Sequence, residues 1–405
     1  MRRGGWRVAA AGGIAVGALL LAGCVPEPPP LEPTETPTIV PSGLSPETRA
    51  ALDGLVDDFL ATTNAPGLMV GLWTPGGEYV RAAGVADLGT ETPLDTDMQF
   101  RIGSQTKVLV ATLVLQLAGE GRLSLDDPVS AWIDGVPNGD RILIRQLLNH
   151  TSGLGDVLRS PAIESRLLSG CAPEDLLSAG AELAPLAEPG AGWHYSNYGY
   201  DLLGRIAELA GDEDLATLIE ERIAAPLGLS RTLLPDSGNG LSEPFVRGYT
   251  ASPSAAPEAD ADATRLPASC LWAAGGAVST MADLHEWVEA MAKGALVDPK
   301  VWAEALAAPV VTPLPAMGPN DFRWYLGPAG FGSFIGHQGG LPGYESASFY
   351  SPELDTAVVV LANKQFNAIP PTAFAEELVL AALGPSAGVP IRAGDGMAPM
   401  PEAPE

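Results

Sequence analysis

The chain has 405 residues, of which 46% are apolar and 18% charged, and its mean hydropathy is +0.15. This composition is that of a globular protein with a sizeable core, and it excludes a disordered chain or a polytopic membrane protein. The net charge of −27 repels phosphate backbones, so we expect no nucleic acid as a partner. Three cysteines outside any C-x-x-C spacing and four scattered histidines predict no metal site, and we expect no cofactor.

The N-terminus has the pattern of an export signal. Three arginines among the first seven residues precede an apolar stretch, residues 8–21, which is short for a membrane span but suits the h-region of a signal peptide. The stretch ends in LAGC, which resembles the bacterial lipobox, whose cysteine becomes the lipidated first residue of the mature protein. We therefore predict a signal peptide over 1–23 and a lipid anchor at Cys24 on the outer face of the bacterial cytoplasmic membrane. The alternative is a signal cut at ordinary small residues, with Cys24 a bystander.

Two low-complexity segments bound the folded part. Residues 24–45 are rich in proline and predict an extended tether without an apolar core. Residues 385–405 lack periodic apolar positions and predict a flexible tail. The folded domain is therefore expected over residues 46–384.

Both ends of that domain predict helices and hairpins. Ser45-Pro46 and the apolar spacing after it predict a first helix. Short apolar runs around Pro-containing turns predict two hairpins, and a closing helix follows the second; these segments are 68–73 with 78–86, 344–350 with 356–363, and 372–383. The patterns between them are mostly helical. We predict an α/β fold in which the N- and C-terminal segments form one antiparallel sheet with flanking helices, and a mostly helical domain is inserted. A cleft between these layers is the expected site.

The sequence GSQTK follows a strand-like segment and opens a strongly apolar helix. Ser104 and Lys107 stand at positions i and i+3, which places the amine within reach of the hydroxyl. The helix N-terminus adds a positive field that favours a developing alkoxide. This is the geometry of an activated serine nucleophile, although an S-x-x-K pattern by itself is weak evidence.

Two later elements strengthen that interpretation. Tyr195-Ser196-Asn197 precedes a helical run, and His337-Gln338-Gly339-Gly340 precedes the second hairpin. With their flanks, these elements resemble the penicillin-recognising serine hydrolases, a family of D-alanyl-D-alanine carboxypeptidases, class C β-lactamases, D-amino-acid peptidases and related esterases. The resemblance spans about residues 50–383 and includes IGSQTK, LAGEGRLSLDDPVS, IRQLLNHTSGL, AAGGAVSTMADL and GHQGGLPGYESASFY. It implies a β-lactamase/transpeptidase-like fold.

The resemblance also implies an acyl-enzyme mechanism. Ser104 would attack an amide or ester carbonyl, while Lys107 and Tyr195 share the general acid and base work. Tyr195 would need a pKa far below its usual value of about 10, with Lys107 as the cation that lowers it. Asn197 would orient the acyl-side amide of the substrate. Backbone N–H groups of Ser104 and Gly340 would form the oxyanion hole.

The third element departs from the Lys-Thr-Gly of many relatives. His337 in place of lysine would titrate near pH 6.5 and give the pH–rate profile a limb near neutrality. Gln338 replaces a threonine that in the relatives helps to hold the substrate carboxylate, which puts recognition of a terminal D-alanine in doubt. Gly339 completes the element. Arg323, upstream, is a candidate carboxylate ligand or an ordinary surface arginine.

Two further predictions concern residues outside the motifs. In an exported protein Cys171 and Cys270 can form a disulfide, and each precedes a segment that the resemblance places near the cleft. Two buried free thiols are the alternative. His150, in NHTSGL, is expected to be a structural hydrogen-bonding residue.

The leading functional hypothesis is a membrane-tethered D-alanyl-D-alanine carboxypeptidase-like enzyme acting on peptidoglycan peptides. The first alternative is a class C-like β-lactamase, or an esterase or D-amino-acid peptidase, that uses the same serine. The second is a non-catalytic lipoprotein that binds wall fragments.

Overall fold

The structure, a computed structural model, describes residues 43–235, 237–251, 260–311, 322–365 and 369–389. The predicted signal peptide, Cys24, nearly all of the tether and most of the tail lie outside these residues. No helix in the described ranges combines the length and the apolar character that a membrane crossing requires.

An antiparallel sheet joins the two ends of the described chain. In chain order the strands are β1 (Gly67–Thr74), β2 (Gly77–Asp87), β3 (Thr92–Pro93), β4 (Phe100–Arg101), β5 (Tyr249–Ala251), β6 (Asp260–Asp262), β7 (Val278–Ser279), β8 (Val310–Val311), β9 (Arg323–Trp324), β10 (Ala329–Phe331), β11 (Phe334–Leu341), β12 (Tyr344–Ser351) and β13 (Thr356–Ala362). The large sheet has the order β3-β2-β1-β13-β12-β11-β10-β9-β8, and β4 with β7 and β5 with β6 form separate pairs. Leu68 of β1 lies opposite Ala362 of β13, so the two predicted hairpins pair side by side.

Most helices lie in the middle of the chain, as predicted. They are α1 (Pro46–Thr63), α2 (Thr106–Gly119), α3 (Ile144–Leu148), α4 (Pro161–Glu164), α5 (Pro173–Ala181), α6 (Asn197–Gly211), α7 (Leu215–Ile219), α8 (Ala225–Leu227), α9 (Trp272–Gly275), α10 (Met281–Ala292), α11 (Pro299–Ala307) and α12 (Pro371–Leu383). Helix α2 is buried on nearly all sides within the larger core. The GSQTK motif lies at its N-terminus.

The alternating strand positions supply two separate cores. Val358 and Val360 of β13 pack with Phe374 in the core that also contains residues of α1. Val359 and Leu361 belong to the larger core, which contains residues of α10 and the inserted helices. Successive side chains of a strand point to opposite faces, so a sheet between two helical layers is apolar at consecutive positions.

The sequence predicts one end of the fold better than the other. Helix α1 begins at Pro46, where the Ser45 hydroxyl accepts the N–H of Thr48 as an N-cap. The predicted start of the tail at residue 385 is wrong. Ala387 and Val389 are only 3% and 4% exposed and pack into the core beside α12, so the fold continues to at least Val389.

Candidate active site

Ser104 lies in a tight turn, the 3-10 helix Gly103–Gln105, which leads directly into α2. Gly103 has φ +55°, a conformation in which a side chain is strained. The Gln105 amide donates to the Ser346 hydroxyl at 2.7 Å and accepts from the Ser348 hydroxyl, both on β12. These bonds attach the turn to the sheet and fix the position of the Ser104 side chain.

Lys107, the second residue of α2, is fully buried, and its amine contacts three oxygen atoms. Nζ lies 3.2 Å from Ser104 Oγ, 2.8 Å from Asn197 Oδ1 and 2.7 Å from the carbonyl oxygen of Ala274. The amide oxygen and the backbone carbonyl can only accept hydrogen bonds. A neutral amine therefore donates its two hydrogens to Asn197 and Ala274 and directs its lone pair toward the Ser104 hydroxyl.

Burial favours that neutral amine. Desolvation lowers the pKa of Lys107 to about 7, although the carboxyl groups of Asp156 and Asp201 oppose the shift. A large fraction of the protein therefore has an unprotonated Lys107 near neutral pH. An amine in this state can accept the proton of Ser104.

The Tyr195 hydroxyl interacts with Ser104, and the Tyr195 ring centroid lies 4.7 Å from Lys107 Nζ. The prediction that Tyr195 readily loses its proton is wrong. Burial raises the pKa of Tyr195, the interaction with Ser104 only partly offsets this, and the charge of Asp156 raises it further. The phenol stays protonated at neutral pH and can act as a proton donor.

Asn197 bonds two side chains of the site. Its Oδ1 accepts from Lys107, and its Nδ2 donates to Asp156 Oδ1 at 3.0 Å. Both ends of the amide are therefore bonded to protein groups, and Asn197 orients Lys107. Asp156 is half-buried, and its Oδ1 also accepts the N–H of Leu158.

Strand β11 passes beside the Ser104 turn at its C-terminal end. A Cβ on Gly339 would lie 2.0 Å from the carbonyl oxygen of Ile102, so the close approach requires glycine. A Cβ on Gly103 would lie 3.0 Å from the nitrogen of Gly340, which places that nitrogen beside the nucleophile turn. The oxyanion hole of Ser104 and Gly340 stays a prediction, and this proximity is compatible with it.

His337 and Gln338 point to opposite faces of β11. His337 is 2% exposed; burial, with the nearby Lys107 charge, lowers its pKa to about 3, so the predicted titration of His337 near pH 6.5 is wrong. The Gln338 Oε1 accepts from the Thr372 hydroxyl on α12. Neither side chain supplies the permanent cation that the lysine of many relatives would.

Cys171 and Cys270 are bonded to each other, with their Cα atoms 4.7 Å apart. Cys270 lies two residues before α9, the helix that carries the Ala274 carbonyl. Within the described ranges, no group of three or more His, Cys, Asp or Glu side chains could hold a metal ion.

Sequence reasoning missed several groups that shape the site: Gln105, Asp156, the Ala274 carbonyl, and Trp324, whose ring centroid lies 5.7 Å from that of Tyr195. Asp156 closely follows IRQLLNHTSGL, one of the segments that carry the resemblance, and a carboxylate beside that segment was an available signal. Gln105 and the Ala274 carbonyl have no such signal, because any residue has a backbone carbonyl and glutamine is usually a surface residue.

Comparisons with known proteins show which family and fold the chain resembles. A family model described as Beta-lactamase matches residues 52–382. Penicillin-binding protein PbpX of Bacillus subtilis is 28% identical, in an alignment that covers 66% of this chain and 63% of that protein. Esterase EstB of Burkholderia gladioli is 35% identical over 44% of this chain and 50% of that protein. The chain therefore spans about half to two thirds of the length of these relatives.

A solved structure covers more of the chain. The D-amino acid amidase of Ochrobactrum anthropi SV3, complexed with L-phenylalanine amide, is 27% identical, and the alignment covers 84% of this chain and 98% of that chain with a TM-score of 0.72. The described fold is thus the β-lactamase/transpeptidase-like fold.

Proposed function

Because the chain belongs to the Beta-lactamase family, we propose that it hydrolyses amides or esters of D-amino acids that carry a free amino group, through an acyl-enzyme on Ser104. The similarity to a D-amino acid amidase over nearly the whole of that protein's length supports this substrate class. The charge distribution of the site supports it independently.

In the acylation step, neutral Lys107 accepts the Ser104 proton while Oγ attacks the carbonyl carbon of the substrate. The resulting oxyanion accepts hydrogen bonds from the N–H groups of Ser104 and Gly340. Tyr195 donates its proton to the leaving nitrogen or oxygen as the bond to carbon breaks, and Lys107 returns a proton to Tyr195. The leaving group departs neutral, and the acyl group remains on Ser104.

In the deacylation step, the same groups act in the reverse order. A water molecule replaces the leaving group and transfers a proton through Tyr195 to Lys107 while its oxygen attacks the acyl carbon. Collapse of the second oxyanion breaks the bond to Ser104 Oγ, which regains a proton from Lys107. The products are the free D-amino acid and the original enzyme.

Asp156 is the observation that carries the choice of substrate. Asn197 and the backbone N–H of Leu158 both donate to its Oδ1, which holds the carboxylate in place, and its charge acts on Lys107 and Tyr195. Its Oδ2 makes no hydrogen bond to the described residues. An ammonium group on the acyl side of a substrate would pair with this oxygen.

A D-alanyl-D-alanine carboxypeptidase would instead need a group that binds the terminal carboxylate of its substrate. His337 is neutral, and Gln338 is bonded to Thr372. Arg323 donates to the carbonyl of Gly332, at the opposite end of β11 from Gly340. The charge distribution therefore favours a substrate with a free amino group over the terminal-carboxylate substrate of a D-alanyl-D-alanine carboxypeptidase. A non-catalytic binding protein has no need for the Lys107 geometry.

The test compares kcat/KM for D-phenylalanine amide, its N-acetyl derivative and L-phenylalanine amide. We expect kcat/KM for D-phenylalanine amide to exceed kcat/KM for each of the other two substrates by about tenfold or more. A tenfold ratio corresponds to a difference of about 1.4 kcal/mol in free energy. Asp156→Asn should remove the preference for a free amine, whereas Asp140→Asn, at an exposed position, should not. Equal rates with the N-acetyl derivative, or faster release of D-alanine from a D-alanyl-D-alanine peptide, would rule out this substrate class.

We also propose that the protein is exported and tethered by a lipid on Cys24. The signal-like N-terminus supports this, and so does the Cys171–Cys270 bond, since disulfides persist in oxidising compartments. Expression with an alkyne-labelled fatty acid should label the wild type and leave Cys24→Ser unlabelled. Equal labelling of both, or a wild type recovered without lipid, would exclude the anchor.

A further inference from the structure

One buried residue, His150, contacts the segment around Tyr195 at three points. Its carbonyl oxygen accepts the N–H of His194 at 2.8 Å, and its Nδ1 accepts the N–H of Ser196 at 3.2 Å. Its ring stacks on the ring of Tyr195 with centroids 4.3 Å apart and planes 27° apart. His150 therefore holds the residues on both sides of Tyr195 and also one face of the Tyr195 ring.

His150 is itself held in place by its surroundings. It is 1% exposed, and its φ of +61° is rare for a residue with a side chain. Tyr200, on α6, donates to the carbonyl of Leu148 at 2.9 Å and lies 5.2 Å from the His150 ring. The Trp324 ring meets the His150 ring edge-on at 5.2 Å. A residue held in an uncommon backbone conformation by packing can position a neighbour accurately.

We propose that His150 is a positioning residue that fixes the phenol of Tyr195 for proton transfer. The inference rests on the proposed function, in which Tyr195 donates the proton to the leaving group. Nδ1 accepts a backbone N–H, so the proton of the neutral imidazole is on Nε2, and Nε2 makes no hydrogen bond to the described residues. His150 thus acts through Tyr195 and has no contact that would make it a proton carrier.

This role has a kinetic consequence. Proton transfer to the leaving group requires the Tyr195 hydroxyl to keep its distance to Ser104, and a displacement of about 1 Å can cost 100-fold in rate. Substrate binding does not depend on the hydroxyl to the same degree. Loss of the His150 contacts should therefore lower kcat far more than it changes KM.

The informative variant is His150→Asn. Asparagine tolerates a positive φ, and its Oδ1 can replace Nδ1 as the acceptor for Ser196, so mainly the stacked ring is lost. We expect kcat to fall about 10- to 100-fold with KM within about threefold. His285→Asn is the matched control, because the His285 ring stacks on Trp73 at 3.8 Å away from the catalytic groups; its kcat should not change.

A double-mutant cycle with Tyr195→Phe separates positioning from a general structural effect. If His150 acts through the Tyr195 hydroxyl, His150→Asn should change kcat by less than about threefold in the Tyr195→Phe background. An equally large effect in both backgrounds would overturn the proposal. If Tyr195→Phe alone keeps the wild-type kcat, the acid role of Tyr195 in the proposed function fails instead, so the two failures are distinguishable.

A second variant covers the case in which His150→Asn does not fold. His150→Phe keeps an aromatic ring against Tyr195 and removes the acceptor for Ser196. His150→Phe should lower kcat in the otherwise wild-type protein and should have little further effect on kcat in the Tyr195→Phe background. A wild-type kcat in His150→Phe, or an effect of equal size in both backgrounds, would contradict the proposal.

Discussion

Lys107 Nζ donates to Asn197 Oδ1 at 2.8 Å, and this contact determines what the amine can do for Ser104. One of its hydrogens is directed to the amide and another to the Ala274 carbonyl. The lone pair of the neutral amine then remains for the nucleophile, 3.2 Å away. The base is thus oriented by two acceptors that come from α6 and α9.

Replacement of this base should abolish most of the activity. In Lys107→Met, kcat should fall about 100- to 10,000-fold, the usual contribution of a general base. Lys293→Met is the control, because Lys293 is an exposed lysine paired with Glu289. Steady-state kinetics with a D-phenylalanine ester measure both variants. A loss of less than tenfold in Lys107→Met would mean that another group takes the Ser104 proton.

The pH dependence of kcat/KM should follow the titration of Lys107 and not that of His337. Lys107 must be unprotonated to act, and burial lowers its pKa to about 7, so kcat/KM should rise with pH through about 7. His337 is already neutral there, since its pKa is about 3. The limb should therefore stay in place in His337→Asn. A limb that disappears in that variant would restore His337 as the titrating group.

The glycine before the nucleophile should be essential for rate. Gly103→Ala places a Cβ 2.9 Å from Leu341 and 3.0 Å from the Gly340 nitrogen, so kcat should fall about 100-fold as the oxyanion hole is displaced. Gly121→Ala is the control: its φ is +70°, but a Cβ there meets nothing within 4 Å. It should cost about 1–2 kcal/mol of unfolding free energy and leave kcat unchanged. Similar kcat values for the two variants would contradict the assigned geometry.

The disulfide should matter mainly for stability. Cys171 and Cys270 are 99 residues apart in sequence, so their bond constrains a long loop in the unfolded chain. Replacing both by serine should lower the free energy of unfolding by about 2–4 kcal/mol, measured with urea. Dithiothreitol should have the same effect on the wild type and none on the variant. A variant as stable as the oxidised wild type would disagree with this expectation.

Penicillin distinguishes the proposed activity from the alternatives. The drug carries a carboxylate, and His337 and Gln338 offer it no permanent cation. We expect neither a persistent adduct by mass spectrometry nor rapid loss of the drug. A lasting adduct absent from Ser104→Ala would favour a carboxypeptidase-like enzyme, and rapid turnover would favour a β-lactamase.

The sequence was sufficient to predict the sheet, the inserted helices and the groups nearest the nucleophile. Periodicity predicts the hairpins, and Ser104 and Lys107 are only three residues apart, so local geometry determines their contact. The pKa values were not predictable in this way. Those of Tyr195 and His337 depend on burial by segments far away in sequence. Burial raises the pKa of Tyr195, which Lys107 was expected to lower, and it lowers the pKa of His337 from its ordinary value to about 3. The core positions of Ala387 and Val389 likewise depend on tertiary packing.

The most direct test of the central claim is intact-mass spectrometry during turnover of a D-phenylalanine ester, with samples quenched in acid. We predict a mass increase of one D-phenylalanyl group, located on the peptide that contains Ser104 and absent from Ser104→Ala. An adduct on another residue, or hydrolysis by Ser104→Ala at the wild-type rate, would contradict an acyl-enzyme on Ser104.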